Sequence, residues 1–537
     1  MVEMFKSGLM LLSAVPQLSR LSAYLRHAKQ TISNTLYISI DPNLLSSSTT
    51  VTSNCHKNDI FVNQLRKFLP QIYAEANRSA PLLDIRVVHH SHYHRNQRYT
   101  THSSVTLQRS LQFTPQVVLI NGGNYNEELV RNYLIKEFAL NIQQIQCIPE
   151  NANDLQTTDD INGDNVKVYD NVCLGGTFDG LHNGHKVLIS SAQLHCNQTV
   201  TIGVTDKSMI KNKKLWQLIL PMEKRIEELR KFVTDVDPFI KYNIVPISDP
   251  FGPAIVDPSL ESIVVSHETV RGGEKINEIR IKNDMKALDI FKIDLLDDFN
   301  KQNTFEEQKI SSSSLRMRKL GTILREPEVK NLPKRPYIIG LTGGIASGKS
   351  SIADKLKSLG AGVINCDLMA HKTYESPESE AFKEIVQHFG KHILIDDSTI
   401  DRKKLGNIVF TDKDKLKVLN NIIWPKLEVL ILDKINEMKD KYQVIVLEIA
   451  LLLEAKWDHK VHQIWVTLID ENEAITRLQE RNQLTQEEAV SRIESQMTNE
   501  DRVQRANVVF CTLWDQSITM DQVKRAWGCL QSYLKKH

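Results

Sequence analysis

Eight consecutive residues match the phosphate-binding pattern G-x-x-x-x-G-K-[ST]: Gly343, Gly344, Ile345, Ala346, Ser347, Gly348, Lys349 and Ser350. Glycines let successive backbone amides turn inward around a phosphate, and a helix N-terminus adds partial positive charge. Lys349 would reach the β- and γ-phosphates, and Ser350 would bind Mg²⁺. An apolar run, 337–341, precedes the pattern and a helical run, 351–359, follows it. This context predicts a nucleotide site rather than a chance glycine-rich turn.

A second glycine-rich stretch, residues 172–185, reads Val-Cys-Leu-Gly-Gly-Thr-Phe-Asp-Gly-Leu-His-Asn-Gly-His. A strand is predicted to end near Gly175 and a helix to begin near Gly184, so the turn lies where open parallel sheets bind ligands. His182 and His185 are three residues apart and can face the same side. Two imidazoles at a helix N-terminus can bind phosphates and stabilise charge on a phosphorus under in-line attack. An H-x-x-H pair alone is more often packing or a metal site, but the Gly-Gly-Thr-Phe-Asp prefix favours a nucleotide.

Three further stretches of the same unit are rich in groups that bind anions. They are a lysine loop after predicted strand 200–204, with Lys207, Lys211 and Lys214; Ser266, Glu268 and Thr269 after predicted strand 262–265; and Ser311, Ser312 and Ser313 before Arg316. Each alone is compatible with a solvated loop or an ordinary helix cap. Their joint occurrence in one unit of domain size favours a single phosphate-binding site.

Asp367 and Glu448 follow the predicted strands 362–366 and 443–447. A β–α–β unit makes such strands parallel, so Asp367 emerges at the sheet edge that carries the phosphate-binding loop. A carboxylate there can accept the proton of an attacking hydroxyl group. The alternative role for Asp367 is to cap a helix that begins at Leu368, and the shared edge favours catalysis.

Arginines mark a predicted helix–turn–helix near the end of the chain. Arg477 and Arg481 are four residues apart on one helical face, and the next helix begins with a Thr485–Glu488 capping box and carries Arg492. This pattern is typical of a lid that closes over ATP and brings positive charge to the transferring phosphoryl group. The alternative is a pair of charged surface helices.

Composition bounds the remaining possibilities. The 537 residues predict about three or four domains, and the formal net charge of +2 excludes a general nucleic-acid binder. Seven scattered cysteines without a C-x-x-C pair predict free thiols and no structural zinc. No apolar run reaches the length of a membrane span.

Residues 5–40 contain basic but no acidic residues, with leucines at helical spacing. This composition is typical of a mitochondrial targeting or membrane-surface segment and predicts an amphipathic leader at 1–34. It places the protein in the cytoplasm and the mitochondrion, at the outer membrane or in the matrix, with peripheral membrane contact. The alternative is an amphipathic leader that docks on the next domain.

Residues 35–155 predict a small α/β domain of unknown role. The histidines at 89, 90, 92 and 94 predict a solvated loop rather than a metal site, because no carboxylate or cysteine is near them. Polar or proline-rich composition predicts linkers at 151–164 and 326–336. The two nucleotide motifs then fall in separate α/β domains, at 168–325 and 336–537.

The motifs together resemble known families. G-T-F-D-x-x-H-x-G-H, the lysine loop, S-x-E-T and I-S-S-S-x-L-R resemble the HxGH nucleotidyltransferases, and among them the eukaryotic phosphopantetheine adenylyltransferases. G-L-T-G-G-I-x-S-G-K-S, from Gly340 to Ser350, resembles the dephospho-CoA kinases, although Trp424, Glu448 and Ala450 depart from the bacterial pattern. Both in this order resemble the bifunctional coenzyme A synthase family over residues 168–537.

The resemblance implies a Rossmann-like nucleotidyltransferase domain followed by a P-loop kinase domain. It implies that ATP and 4′-phosphopantetheine bind at Gly175, Gly176, Thr177, Phe178, His182 and His185, with the lysine loop and Arg316 on phosphates. The product, dephospho-CoA, would be phosphorylated on its ribose 3′-hydroxyl by a second ATP, with Asp367 as the base. Mg²⁺ would accompany ATP at both sites.

Two other classes stay open on the sequence alone. One is a different enzyme pair, such as a cytidylyltransferase or nicotinamide-mononucleotide adenylyltransferase joined to a nucleoside kinase. The other is a signalling scaffold with one inactive unit, against which the intact His182, His185, Lys349 and Ser350 argue. A substrate screen scored for pyrophosphate and ADP separates these classes.

Overall fold

A computed structural model describes residues 4–41, 44, 55–89, 109–121, 125–148, 167–396, 398–410 and 412–536. These residues contain three five-stranded parallel sheets with helices between the strands, which confirms the predicted α/β class. The chain divides into two compact units, Met1–Leu315 and Arg316–His537. The first unit holds two of these five-stranded sheets and the second holds one. The predicted linker 151–164 lies outside the described residues.

The first sheet has the strand order β3-β2-β1-β4-β5, and all four strand pairs are parallel. Its elements are β1 Phe5–Leu12, α1 Leu18–Thr31, β2 Ile32–Ile40, α2 Cys55–Ser79, β3 Asp84–Val88, β4 Val117–Asn121, α3 Glu127–Phe138 and β5 Ile145–Ile148.

The prediction of a separate helical leader at 1–34 is wrong. Residues 5–12 form β1, the central strand of the first sheet, and α1 packs Leu21 and Leu25 into the same core. A strand buried on both faces is apolar at nearly every position, so its pattern over a short run cannot be told from that of a buried helix. The prediction that His89 lies in a solvated loop is also wrong, because its side chain is buried.

Deleting residues 1–34 should therefore abolish soluble expression of the first unit, because β2 and β4 lose the strand between them. Soluble yield and far-UV circular dichroism of the truncated and full chains measure this effect. Leu18→Ser is the control, since Leu18 is an exposed residue of α1 and its replacement should leave yield unchanged. A soluble truncated chain with native dichroism would contradict the placement of β1.

The second sheet has the order β10-β9-β6-β7-β8, again all parallel. Its elements are β6 Tyr169–Gly176, α4 Asn183–Leu194, β7 Cys196–Thr205, α5 Lys207–Ile210, α6 Met222–Val236, β8 Lys241–Ile247, β9 Ser262–Ser266, α7 Val270–Lys282, β10 Asp289–Ile293 and α8 Ser312–Lys319. If the five strands of each sheet are numbered in chain order, both sheets have the order 3-2-1-4-5. The order reverses between β6 and β9, and ligands of such sheets bind at this switch point.

The third sheet has the order β12-β15-β11-β16-β17, all parallel. Its unit contains β11 Tyr337–Gly343, α9 Lys349–Ser358, β12 Gly362–Asn365, α10 Cys366–Lys372, α11 Glu380–Phe389, β13 Leu394–Asp396, β14 Thr399–Ile400, α12 Arg402–Phe410, α13 Lys413–Met438, β15 Val444–Glu448, β16 Gln463–Leu468, α14 Glu471–Asn482, α15 Gln486–Glu494, α16 Asn499–Arg505, β17 Val508–Cys511 and α17 Gln516–Lys536. β13 and β14 form a separate antiparallel pair.

The segment 326–336, predicted as a spacer, lies against the third sheet's domain. Lys330 Nζ donates to the backbone carbonyls of Asp458 (2.6 Å) and Val461 (2.8 Å). Elsewhere in the described part of the chain, six cysteines are free thiols, as predicted. None of the helices in that part is both long enough and apolar enough to cross a membrane.

Candidate active sites

The turn between β6 and α4 brings two histidine rings together. His182 is the N-cap of α4, and its Nδ1 accepts from the backbone N–H of His185 (3.4 Å). The two rings stack with centroids 3.7 Å apart, so they face the same side, as their spacing predicted. Phe178 packs beside His185 at 5.3 Å, fully buried and with a φ of +51°. A non-glycine residue in this left-handed conformation is held by its surroundings, which is common in ligand-binding turns.

The protein around His185 controls its protonation. Burial lowers the pKa of the imidazole from 6.5 to about 4, while the nearby Asp179 acts in the opposite direction. His185 is therefore neutral at physiological pH and offers one N–H donor and one acceptor nitrogen.

This pKa makes a testable prediction. The His185 resonances should not titrate between pH 8 and pH 5, and the folded state should lose stability as the pH falls from 6.5 towards 4, because the unfolded chain takes up the proton first. Histidine-selective NMR across this range measures the titration, with His185→Gln identifying the signal. A midpoint near 6.5 would show that the ring is not desolvated.

Two residues to which the sequence motifs assigned no role hold the turn in place. Arg225, in the first turn of α6, donates to the carbonyls of Thr177 (2.7 Å), Thr205 (2.9 Å) and Leu220 (2.9 Å). The buried Asp179 accepts from the N–H of Leu220 (3.3 Å). Nothing in the local sequence distinguishes Arg225 from the charged residues beside it, because its burial depends on contacts distant in sequence.

Of the other predicted residues of this domain, some contact the histidine turn and others have different partners. Ser312 Oγ donates to the carbonyl of Asp179 (3.0 Å), which brings the serine run to the histidine turn. Thr269 occupies the N-cap position of α7, but its hydroxyl bonds to Ser266 (3.0 and 3.1 Å) instead of capping the helix. Glu268 forms an ion pair with Lys309.

The cationic residues of this domain differ in accessibility. Lys207, Lys211 and Lys214 are exposed on and after α5, where they can reach an anion. Arg316 is almost fully buried in α8, so its contact with phosphates stays a prediction.

In the third domain, the phosphate-binding loop runs from the end of β11 to the start of α9. Gly348 has a φ of +83°, and a Cβ atom there would lie 2.9 Å from Thr512. A Cβ atom on Gly343 would lie 2.3 Å from the carbonyl oxygen of Thr467. Ser347 bonds to both threonines, at 2.6 Å to the Thr467 hydroxyl and 2.9 Å to Thr512. The loop therefore requires glycine at these two positions. The bonds of Ser347 hold it against Thr467 of β16 and against Thr512, which follows β17.

An acidic residue lies directly beside this loop. Ser350 Oγ donates to Glu448 Oε1 (2.6 Å), and Asn365 Nδ2 donates to Glu448 Oε2 (2.8 Å). Strand register places Asn365 and Leu341 opposite Glu448, so β12 and β15 end at the same level, two residues before the end of β11. A hydroxyl and a carboxylate are the oxygen ligands that Mg²⁺ takes beside ATP phosphates. Ser350 and Glu448 therefore fit the predicted Mg²⁺ site.

Asp367 lies at the same edge. The cap of α10 is Asn365, which accepts from the N–H of Leu368 (2.9 Å), so the alternative role of Asp367 as a helix cap is wrong. Asp367 Oδ1 instead accepts from the N–H of Ala450 (3.0 Å). Burial lowers the pKa of Lys349, while the carboxylates of Asp367 and Glu448 act to raise it. Asp367, Glu448 and Lys349 thus share one sheet edge.

The predicted helix–turn–helix is formed by α14 and α15, with the Thr485–Glu488 capping box present. Arg477 points inward: its guanidinium donates to the loop carbonyl of Ala346 (3.3 Å) and to the carbonyl of Thr512 (2.7 Å). Arg481 is exposed and bonds to the neighbouring Asn482 (3.0 Å), and Arg492 is half-buried. Arg477 thus contacts the phosphate-binding loop directly.

Two further side chains approach this loop that the sequence analysis did not assign to it. Gln496 Oε1 accepts from the N–H of Ile345 (2.9 Å), one of the amides that a phosphate would use. Arg502 is buried in an ion pair with Glu454 (3.1 Å), and a Cβ atom on Gly344 would lie 3.4 Å from its guanidinium. Helical spacing gave no signal for Arg502, because α16 carries charged residues on several sides.

Comparison with known proteins gives a family match for the domains of the second and the third sheet. Residues 337–512 match the dephospho-CoA kinase family model, and residues 173–318 match the cytidylyltransferase-like model. A dephospho-CoA kinase from Carboxydothermus hydrogenoformans is 42% identical over 187 residues, which are 35% of this chain and 90% of the relative. One from Oceanobacillus iheyensis is 37% identical over 195 residues, 36% of this chain and 98% of the relative.

Among solved structures, the dephospho-CoA kinase of Campylobacter jejuni is 27% identical and covers 37% of this chain and 98% of its own, with a TM-score of 0.28. The family matches confirm the prediction of two catalytic domains on one chain, a nucleotidyltransferase-like domain followed by a kinase domain. The chain belongs to the dephospho-CoA kinase family through its C-terminal domain, to which a cytidylyltransferase-like domain is joined.

Proposed function

We propose that the protein carries out the last two steps of coenzyme A biosynthesis. ATP and 4′-phosphopantetheine would give dephospho-CoA and pyrophosphate, and a second ATP with dephospho-CoA would give coenzyme A and ADP. The observation that carries this proposal is the pairing, on one chain, of a stacked histidine pair at a sheet switch point with a kinase domain of the dephospho-CoA kinase family. The first domain's product is then the second domain's acceptor.

In the first reaction, a phosphate oxygen of 4′-phosphopantetheine attacks the α-phosphorus of ATP, and pyrophosphate leaves without a covalent enzyme intermediate. His185, neutral because of its low pKa, donates its N–H to the oxygen on which charge develops. His182 and Thr177 add donors beside it. The exposed Lys207, Lys211 and Lys214 would hold the β- and γ-phosphates and stabilise the leaving pyrophosphate.

In the second reaction, the ribose 3′-hydroxyl of dephospho-CoA attacks the γ-phosphorus of ATP. Asp367 accepts the hydroxyl proton, and the loop amides and Lys349 bind the β- and γ-phosphates. Arg477, already fixed against the loop, places positive charge beside the transferring group. Mg²⁺, held by Ser350 and Glu448, would neutralise phosphate charge.

A substrate panel tests the assignment against a different enzyme pair. Purified protein with ATP or CTP is offered 4′-phosphopantetheine or nicotinamide mononucleotide, and pyrophosphate is measured; dephospho-CoA or adenosine is offered separately, and ADP is measured. We expect pyrophosphate only with ATP and 4′-phosphopantetheine, and ADP only with dephospho-CoA. Faster turnover of nicotinamide mononucleotide or adenosine would replace this proposal with the alternative, and no turnover would favour the scaffold.

We also propose, as a separate matter, that the protein occurs in the cytoplasm and at mitochondria and contacts membranes peripherally. Since β1 is part of a sheet, such contact would use the folded surface, where Arg26 and Lys29 of α1 are exposed and can meet anionic lipid. Sedimentation with anionic vesicles should weaken in the Arg26→Glu/Lys29→Glu variant. Equal sedimentation of both proteins would reject this surface.

A further inference from the structure

The helix that begins with the stacked histidines is held along its length by the first domain. Val187 and Leu194 of α4 belong to an apolar cluster made mainly of β1–β3, α1 and α2. At the start of α4, Asn183 Nδ2 donates to the carbonyl of Tyr73 on α2 (3.3 Å). At its end, Arg66 Nε donates to the carbonyl of Leu194 (3.0 Å). Helix α4 is therefore an interior element shared by two domains.

A buried ion pair lies directly beside the histidine pair. Lys186 follows His185 in sequence and is only 3% exposed. Its Nζ donates to Asp84 Oδ1 (2.6 Å) and to the carbonyl of Ile85 (2.9 Å), both on β3 of the first domain. Burial acts to raise the pKa of Asp84, but Lys186 and Arg86 hold it below its ordinary value, so Asp84 is a carboxylate. A desolvated ammonium group with one carboxylate partner cannot shift without losing that partner.

Helix α6 is fixed by the same domain. Asp235, near the end of α6, forms an ion pair with Arg86 and accepts from the Tyr37 hydroxyl (2.8 Å) and the Gln112 N–H (2.8 Å). The first turn of α6 carries Arg225, which holds the loop ends at β6 and β7. The first domain thus positions both helices that shape the histidine turn.

The turn that follows the central strand of the first sheet differs from the histidine turn. The first sheet has the same strand order as the second, yet residues 13–17 after its central strand read Ser-Ala-Val-Pro-Gln, without histidine or glycine. The first domain therefore lacks the groups with which the second domain would bind nucleotide at that position. Its contribution to adenylyl transfer is to be sought in its contacts with α4 and α6.

We infer that Asp84 of the first domain is a positioning residue for adenylyl transfer, which fixes the histidine pair through Lys186. This inference rests on the proposed adenylyltransferase reaction. It also assigns the first domain a role: residues 4–148 are part of the adenylyltransferase rather than an independent module. Because a displacement of about 1 Å costs on the order of 10²-fold in rate, a loosened α4 should slow the reaction while leaving substrate binding largely intact.

The test is Asp84→Asn in the full chain, which keeps the side chain's shape and removes its charge. We expect kcat for pyrophosphate release to fall by about 10- to 100-fold, with KM for ATP changed only a few-fold. Kinase turnover on supplied dephospho-CoA should stay at the wild-type value. Asp84→Glu restores the charge and should recover most of kcat, which a purely steric role would not predict.

Two matched variants complete the design. Glu127→Gln removes the carboxylate of an exposed ion pair with Arg131 in the same domain and should change neither activity. Arg66→Met removes the contact at the far end of α4 and should lower kcat by a few-fold, even if Asp84→Asn does not fold. A normal kcat in folded Asp84→Asn, or in Arg66→Met where Asp84→Asn does not fold, would overturn the inference. Wild-type protein that released no pyrophosphate would instead overturn the proposed function.

Discussion

Replacing His185 by alanine should lower the rate of pyrophosphate release by at least about 10²–10³-fold, the usual effect of losing one preorganised donor. In the proposed reaction, the imidazole N–H donates to the oxygen on which negative charge develops, so its interaction is stronger in the transition state than in the bound substrate. kcat should therefore fall much more than KM for ATP rises. His185→Asn or His185→Gln should recover part of the rate only if a neutral amide reaches the same oxygen.

The control for this variant lies in the same helix region. His195, at the C-terminal end of α4, has a similarly low pKa of about 4, bonds to the carbonyl of Ser191 (2.7 Å) and packs on Phe291. His195→Ala should lower the melting temperature and leave turnover per folded molecule nearly unchanged. A His185→Ala protein that behaves like His195→Ala, with turnover within a few-fold of wild type, would reduce His185 to a packing residue.

Replacing Lys349 by alanine should stop 3′-phosphorylation, with a loss of at least about 10²-fold, and leave pyrophosphate release near the wild-type rate. Lys349 is the lysine of the phosphate-binding loop, and it lies near Asp367 and Glu448 at the same sheet edge. Dephospho-CoA should accumulate when 4′-phosphopantetheine and ATP are supplied. Chromatography of the nucleotide products measures both steps in one sample.

A second lysine on α9 provides the matched control. Lys355 bonds to Ser351 (2.9 Å) and Gln516 (2.5 Å), away from the loop, and Lys355→Ala should retain both activities. If folded Lys349→Ala lost pyrophosphate release as well as phosphorylation, the two reactions would not occupy separate sites.

The two glycine-rich loops could be predicted from sequence because their chemistry depends on backbone geometry. A phosphate is bound by backbone amides that face inward, and glycine permits the tight turn that this requires. The residues of each loop are also contiguous in the chain, so the sequence pattern is complete in one stretch. The capping box at Thr485 and the placement of His182 and His185 on the same side were also predictable, since residues three apart at a helix start lie on one face.

The features that sequence analysis missed depend on contacts between distant segments. Arg225, Lys186 and Arg502 look like ordinary surface charges, and only the folded arrangement shows that each is buried. The pairing of Ser350 with Glu448 required the order of β11 and β15 in the sheet. The error over residues 5–12 has a different cause, because an apolar run buried on all sides lacks the periodicity that distinguishes strand from helix.

The most direct test of the central claim is turnover of the purified full chain with 4′-phosphopantetheine, ATP and Mg²⁺, followed by mass spectrometry over time. We expect the mass of dephospho-CoA to appear first and then to be converted to that of coenzyme A, with one pyrophosphate and one ADP released for each coenzyme A formed. Release of ADP without any adenylylated product, or an adenylylated product that is never phosphorylated, would show that this chain does not perform both steps.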